Sequence, residues 1–240
     1  MYIDTHTHLY SGKFKDDRAE MMDRIPAAGV DLSIMPAVDL KSHEAMLQLE
    51  TDYPDRTLAM IGLHPCSVGE NYREQLDVIH TELLKGGYHA VGEIGIDMYW
   101  DKTHIDEQKK AFLLAVLRAM LPTEKFSAQE ALENALLTNA LELVYLQPKP
   151  RLSDFVAKLS TMTEVSGTAM GTEELALAKN LAIRLKTWCG DTPFGQLIDR
   201  ETTVNVNSPI VYFESSGLDK YPALQGVAML LMTDLIWRRV

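Results

Sequence analysis

Near its start the sequence reads Tyr2-Ile3-Asp4-Thr5-His6-Thr7-His8-Leu9, a short apolar run that leads into two histidines. Three further apolar runs follow, with segments of helical spacing between them: Leu32–Val38, Leu58–His64 and Ala90–Asp97. Runs of this length are typical of buried strands. Because strands that alternate with helices pair in parallel, they predict an α/β fold. Four such units make half of a (β/α)8 TIM-type barrel over residues 1–112.

Two features of these strands favour a metal site. His6 and His8 stand two positions apart, and side chains at i and i+2 of a strand point to the same side, so both imidazoles would face one ion. Glu93 stands at the end of the fourth predicted strand, where a barrel strand delivers its side chain to the catalytic mouth. The alternatives are ordinary half-buried histidines and a salt-bridged carboxylate.

Three motifs occur in order: Asp4-x-His6-x-His8, Gly62-Leu63-His64-Pro65 and Gly92-Glu93-Ile94-Gly95-Ile96-Asp97. Together they resemble the TatD family of metal-dependent deoxyribonucleases. The resemblance implies a barrel of the amidohydrolase type, divalent metal (zinc, magnesium or manganese) and hydrolysis of phosphodiester bonds in DNA. It also implies that His6 and His8 bind one metal, that Glu93 bridges two, and that His64 lies near the substrate, although a purely structural role for His64 stays open.

The resemblance also implies ligands that the sequence does not supply. The family takes two further histidines and an aspartate from later strands, yet no histidine follows His104. The later aspartates stand outside the strand-end context that the family uses: Asp154, Asp191, Asp199, Asp219 and Asp234. We therefore expect an incomplete two-metal site with absent or weak catalysis, in which three ligands hold one zinc ion and water takes the fourth place. An active nuclease completed by carboxylates is the remaining alternative.

The last 128 residues carry a different set of patterns. A helical region leads to the turn-rich stretch Trp188–Asp199, a predicted strand Pro209–Glu214, and Gly217-Leu218 before an apolar helix. This succession resembles an internal segment of the TraC-type ATPases of conjugation and type IV secretion. The resemblance implies a mainly helical segment that ends in part of a RecA-like α/β core. A helical cap domain attached to a barrel is the alternative.

This second segment is not expected to hydrolyse ATP. A nucleoside triphosphatase needs a Gly-x-x-x-x-Gly-Lys-Ser/Thr loop, the Walker A motif, and the sequence contains none. Glu214 ends an apolar strand, but in the family the acidic Walker B pair lies on a later strand. We therefore interpret Glu214 as an ordinary strand-end carboxylate.

The two segments, 1–112 and 113–240, are predicted to join near Phe112 in a chimeric or truncated chain. Residues 1–112 hold 11 Lys/Arg against 20 Asp/Glu, whereas residues 113–240 hold 12 against 14. Helical spacing continues through the junction from Ile105 to Met120. Further helices are predicted at Ser127–Tyr145, where Ser127 and Glu130 form a capping-box signature, and at Leu152–Leu159, Thr172–Thr187 and Leu224–Trp237.

Bulk properties limit the partners of the chain. A net charge of −11 disfavours broad basic surfaces for nucleic acid, although a metal ion would still recruit a phosphate of DNA locally. No run of about 18 apolar residues and no secretory leader is recognised, so we expect no membrane span and a cytoplasmic location. Cys66 and Cys189 are interpreted as small buried hydrophobes. A half barrel exposes two strand edges, which predicts self-association and an interaction module as the alternative function.

Overall fold

The computed structural model describes residues 2–121, 129–201, 212–213 and 215–237. The chain divides into two compact units, Met1–Ala111 and Phe112–Val240. Helix α4 (Ile105–Met120) runs through the boundary, as the continuous helical spacing predicts. None of the described helices has the length and apolar character that crossing a bilayer requires.

A four-stranded parallel sheet forms the centre of the first unit. Its strands are β1 (Tyr2–Asp4), β2 (Val30–Pro36), β3 (Thr57–Ile61) and β4 (Ala90–Val91), in the order β1-β2-β3-β4. Every neighbouring pair is parallel. The predicted α/β architecture with a half-barrel sheet is therefore confirmed for this unit.

Three helices connect these strands: α1 (Arg18–Ala27), α2 (His43–Asp52) and α3 (Tyr72–Lys85). All three overlap the segments of helical spacing in the sequence. Helix α3 ends where Gly86 adopts a φ of +78°, a conformation that an L side chain rarely takes. The core between helices and sheet includes four fully buried side chains: Met22, Met35, Met46 and Ala59.

The strands are shorter than the apolar runs suggest. Strand β1 ends at Asp4 and β4 at Val91, so the prediction that His6 and His8 stand on a strand was wrong. The Asp4 carboxylate accepts a hydrogen bond from the His6 backbone N–H at 3.1 Å, a local bond of the kind that competes with strand pairing. The histidines and Glu93 consequently lie in the segments that follow the strands.

The outer strands of the described sheet are β1 and β4. Ile3 is 49% exposed and Val91 is 53% exposed, so both strands present apolar side chains to solvent. Exposed edges of this kind favour pairing with another chain. Self-association through them stays a prediction.

The second unit is mainly helical in its described part. It contains α5 (Gln129–Tyr145), α6 (Leu152–Thr161), α7 (Thr172–Leu185), α8 (Gly195–Ile198) and α9 (Pro222–Trp237). The predicted helices therefore form, with bounds that move by a few residues. Their core contains five fully buried leucines: Leu136, Leu137, Leu159, Leu181 and Leu185.

Besides its helices, the described part of the second unit contains a short antiparallel pair of strands. A hairpin of β5 (Glu164–Val165) and β6 (Thr168–Ala169), which the sequence reading did not predict, turns at Ser166 and Gly167, both with positive φ. Within the predicted strand Pro209–Glu214 only Tyr212 and Phe213 are described, and neither is in a strand. The rest of that strand, Glu214 and the Ser127 cap lie outside the described residues. A RecA-like core is therefore not shown.

Candidate metal centre

Four side chains meet at the carboxyl edge of the sheet in the first unit. Segments after β1, β3 and β4 bring together His6, His8, His64 and Glu93, the residues that the sequence singled out. His6 Nε2 lies 3.2 Å and His8 Nε2 4.0 Å from Glu93 Oε2, while His64 Nε2 lies 3.4 Å from Glu93 Oε1. The carboxyl ends of parallel strands are where a barrel builds its active site. The metal-binding role of His6, His8 and Glu93 and the substrate-binding role of His64 stay predictions.

Glu93 is the centre of this arrangement. Its side chain is 17% exposed, and its Oε2 atom is buried without a hydrogen-bond partner in the part of the chain that the structure describes. A buried carboxylate oxygen costs free energy unless a donor or a cation compensates its charge. The histidine nitrogens beside Oε2 make a cation the fitting partner, because neutral imidazoles offer lone pairs to it.

The protonation of His8 follows from its contacts. The Tyr10 hydroxyl donates its proton to the Pro36 carbonyl at 2.6 Å, so its oxygen accepts at the 2.9 Å contact with His8 Nδ1. His8 Nδ1 also lies 3.2 Å from the Pro36 carbonyl oxygen. Nδ1 therefore carries the proton and Nε2 keeps its lone pair towards Glu93. Metal-binding histidines are commonly oriented in this way.

The surroundings of His8 also favour its neutral form. Burial lowers the pKa of His8, and the neighbouring His6 lowers it further, against opposing effects from Glu93 and the Pro36 carbonyl. Burial likewise raises the pKa of Tyr10 to about 12, so its hydroxyl stays protonated and keeps its hydrogen bond to Pro36. Both effects favour a neutral His8 imidazole near pH 7.

His64 has the opposite tautomer. Its Nδ1 accepts a hydrogen bond from the Cys66 backbone N–H at 3.1 Å, so the neutral ring carries its proton on Nε2. That Nε2–H faces Glu93 Oε1 and is a donor, not a metal ligand. His64 is therefore placed to orient the Glu93 carboxylate or to donate to a bound anion.

The three remaining ligand atoms fit one small divalent ion. His6, His8 and Glu93 each offer one atom, and these atoms lie within 4.8 Å of one another. Tetrahedral zinc with ligands at about 2.0–2.1 Å would separate them by about 3.3 Å. The His6 Nε2–Glu93 Oε2 distance of 3.2 Å meets this value, whereas His8 Nε2, at 4.0 Å from Glu93 Oε2, would have to move closer. Within the described ranges, no other His, Cys, Asp or Glu belongs to this group. A fourth position would remain for water or substrate.

A cavity beside the histidines is lined by two lysines that the sequence analysis did not single out. It measures about 750 Å³ and is lined by His6, His8, Ser11, Lys13 and Lys41, among others. Neither lysine has an ion-pair partner among the described residues. Sequence spacing gave no signal for this pair, because the lysines come from the loops after β1 and β2.

Barrels of parallel strands place their catalytic and metal-binding side chains at this carboxyl edge. Residues 3–120 match the family profile described as TatD related DNase. The first half of the chain is therefore similar to that family.

Individual relatives match the same half of the chain. The uncharacterized metal-dependent hydrolase YabD of Bacillus subtilis is 30% identical over 112 residues, which cover 47% of this chain and 44% of that protein. The 3'-5' ssDNA/RNA exonuclease TatD of Dickeya dadantii is 28% identical over 122 residues, covering 49% and 46%. The chain thus matches less than half the length of these relatives.

Among solved structures, the crystal structure of YjjV, a TatD homolog from Escherichia coli K12, aligns with a TM-score of 0.41 and 22% identity. The alignment covers 77% of this chain and 90% of that one. None of these matches supports the resemblance of residues 113–240 to a TraC-type ATPase, which stays a prediction.

Proposed function

We propose that the chain is a metal-dependent phosphodiesterase that acts slowly on single-stranded nucleic acid, with one divalent ion held by His6, His8 and Glu93. The observation that carries the proposal is the buried Glu93 Oε2 atom, which lacks a hydrogen bond and faces two imidazole nitrogens. When bound, such an ion supplies Lewis acidity that acidifies water and offsets phosphoryl charge. The substrate class is suggested by the similar protein of Dickeya dadantii, which is a 3'-5' ssDNA/RNA exonuclease.

The protein's own groups divide the remaining work. The Tyr10 and Pro36 contacts fix the His8 ring and leave its Nε2 lone pair for the ion. His64 presents an Nε2 proton beside Glu93 and would donate it as a hydrogen bond to a phosphoryl oxygen. Lys13 and Lys41 in the adjoining cavity would attract the next phosphate along the strand.

The reaction is proposed to be slow because of the number of ligands. Two-metal phosphodiesterases stabilise both the attacking and the leaving oxygen. A single ion held by His6, His8 and Glu93 would stabilise only one of these two oxygens. The alternative function is an interaction segment without ATPase activity. No contact among the described residues favours this alternative.

The direct test is hydrolysis by the full chain. We expect a fluorescent single-stranded oligonucleotide to be shortened slowly with Mn²⁺, Zn²⁺ or Mg²⁺ and to remain intact with excess EDTA. A Glu93→Gln protein purified in parallel controls for contaminating nucleases. Equal cleavage by both proteins, or no cleavage by a protein shown to contain bound metal, would refute the proposed activity.

The lysine pair gives a second expected result. Lys13→Ala/Lys41→Ala should weaken binding of a single-stranded oligonucleotide about tenfold at low salt, because two phosphate contacts are lost. The dependence of affinity on salt should also become shallower, by up to about 1.4 in the log–log slope for single strands. Fluorescence anisotropy in EDTA measures both quantities without hydrolysis.

The matched control removes the same charge elsewhere in the first unit. Lys15→Ala/Lys85→Ala changes two exposed lysines that do not line the cavity. If both double variants lose affinity equally, the effect reflects net charge, and the cavity has no special role in phosphate binding.

A further inference from the structure

The loop after β4 carries two large aromatic side chains in solvent. Tyr99 is 70% exposed and Trp100 is 78% exposed. Their ring centroids lie 4.8 Å apart with an interplanar angle of 88°, an edge-to-face pair. Met98, which precedes them, is 42% exposed. Contiguous apolar surface of this kind on a small unit indicates a binding site.

The loop is held in place by Asp97. Asp97 Oδ1 accepts hydrogen bonds from the Tyr99 N–H at 2.7 Å and from the Trp100 N–H at 2.8 Å. The Asp97 N–H donates to Oε1 of the buried Gln108 side chain at 2.8 Å. Burial alone would raise the pKa of Asp97, but the two amide donors, the Cys66 thiol and the nearby His64 together lower that pKa. The aromatic pair is therefore preorganised.

A continuous set of contacts joins this loop to the metal centre. Cys66 Sγ lies 3.4 Å from Asp97 Oδ2, and the Cys66 N–H donates to His64 Nδ1. His64 Nε2 in turn lies 3.4 Å from Glu93 Oε1. The aromatic pair consequently belongs to the same carboxyl edge of the sheet as the proposed phosphodiesterase site.

We propose that Tyr99 and Trp100 form a stacking platform for a nucleobase of a single-stranded nucleic acid whose phosphate reaches the metal centre. The inference rests on the proposed function, and it specifies how that site selects its substrate. Every base offers a π-face to an exposed aromatic ring, so stacking is tolerant of sequence. Bases within a duplex are already stacked on one another, so the platform favours single strands.

The alternative occupant is a second copy of this chain. The net charge of −11 opposes both a second copy and a polyanion at long range, so the local charge decides between them. Lys13 and Lys41 exceed the one acidic residue, Asp39, among the residues that line the cavity beside His6 and His8, and they attract a phosphate there. The charge distribution around the metal centre therefore favours a nucleic acid strand on the platform.

The test separates bases from phosphates. Anisotropy in EDTA would compare oligothymidylate with an abasic oligonucleotide of the same length, which has the same backbone charge. We expect the wild-type chain to prefer the intact strand by about tenfold or more. Trp100→Ala should remove most of this preference and leave the affinity for the abasic strand unchanged, while Trp100→Phe should retain it.

The controls decide between outcomes. Tyr212→Ala removes an aromatic side chain that is 81% exposed outside this loop, and it should not change the preference. Equal affinity of the wild-type chain for both strands, or an equal loss for both in Trp100→Ala, would overturn the stacking platform. Trp100→Ala could instead dissociate an oligomer without changing the preference for the intact strand over the abasic strand. That result would overturn the stacking platform and assign Tyr99 and Trp100 to self-association.

The failure of this inference is distinguishable from failure of the proposed function. Hydrolysis of bis(4-nitrophenyl) phosphate by the wild-type chain tests the metal chemistry without a polynucleotide. Metal-dependent hydrolysis without a preference for intact strands would overturn the platform alone. A clear preference for intact strands without any hydrolysis would overturn the proposed activity alone.

Discussion

Replacing Glu93 with glutamine is expected to weaken divalent metal binding by about 100-fold or more. The amide keeps the shape of the carboxylate but removes its charge, and it leaves His6 and His8 as the two remaining protein ligands. Loss of an outer partner of a ligand already costs about 10- to 100-fold in metal affinity, so loss of a ligand should cost at least as much. Isothermal titration with Zn²⁺ or Mn²⁺ measures the change.

Without metal, Glu93→Gln is not expected to lower the thermal stability of the protein, although it lowers the metal affinity. Wild-type Glu93 places a carboxylate oxygen in a buried position without a hydrogen bond, which is unfavourable for the metal-free fold. Glu93→Gln should therefore match or exceed the metal-free wild type in thermal stability. Added metal should stabilise only the wild type, because an ion that binds the folded state shifts unfolding by mass action.

Glu74→Gln serves as the matched control for this substitution. Glu74 is exposed in the first turn of α3 and lies outside the metal group. Its variant should keep both the affinity and the stabilisation by metal. A Glu93→Gln protein that binds metal as tightly as the wild type would exclude Glu93 as a ligand and with it the proposed single-ion centre.

The strand–helix alternation of the first unit was predictable because its physical cause is local. Apolar runs such as Leu32–Val38 and Leu58–His64 need burial on both faces, and parallel strands covered by helices provide it. The carboxyl edge of such a sheet then collects residues from separate strands. Glu93 was found from its position near the end of a strand, and the His6–His8 pair from its i, i+2 spacing, although both histidines follow the strand and do not lie on it. His64 came only from the resemblance to the TatD family.

Other parts of the site depend on contacts that spacing does not encode. Strand β1 ends at Asp4, whose side chain accepts a local hydrogen bond from the His6 backbone N–H, a kind of bond that competes with strand pairing. The tautomers of His8 and His64 depend on Tyr10 and Cys66, whose roles appear only in the folded chain. Asp97 lay inside a recognised motif, but its role in fixing the aromatic loop required the structure.

A different limit applies to the second unit. Helical spacing predicted its helices, because an amphipathic stripe is a property of a short segment. The β5–β6 hairpin has only two residues in each strand, too few for an alternating pattern to stand out. The order of motifs in residues 113–240 resembles that of the TraC-type ATPases. The burial and packing of the described helices do not test whether the two are related.

Replacing Gly62 with alanine is expected to disrupt the metal centre without touching a ligand. Gly62 follows β3, and a Cβ atom built there would lie 2.4 Å from the Gly92 carbonyl carbon and 2.5 Å from the Glu93 nitrogen. These neighbours are backbone atoms, so no side-chain rotation relieves the clash. The segment that carries Glu93 must move, and we expect a loss of about 1–3 kcal/mol in unfolding free energy.

The metal affinity of Gly62→Ala should fall together with its stability, by about tenfold or more, because the Glu93 carboxylate is displaced from the two histidines. Denaturant unfolding and Zn²⁺ titration measure the two effects. Gly12→Ala is the matched control, since a Cβ atom there meets no other atom within 4 Å. Wild-type metal affinity in Gly62→Ala would contradict this prediction. It would show that the close backbone approach of Gly62 to Gly92 and Glu93 does not position the Glu93 carboxylate.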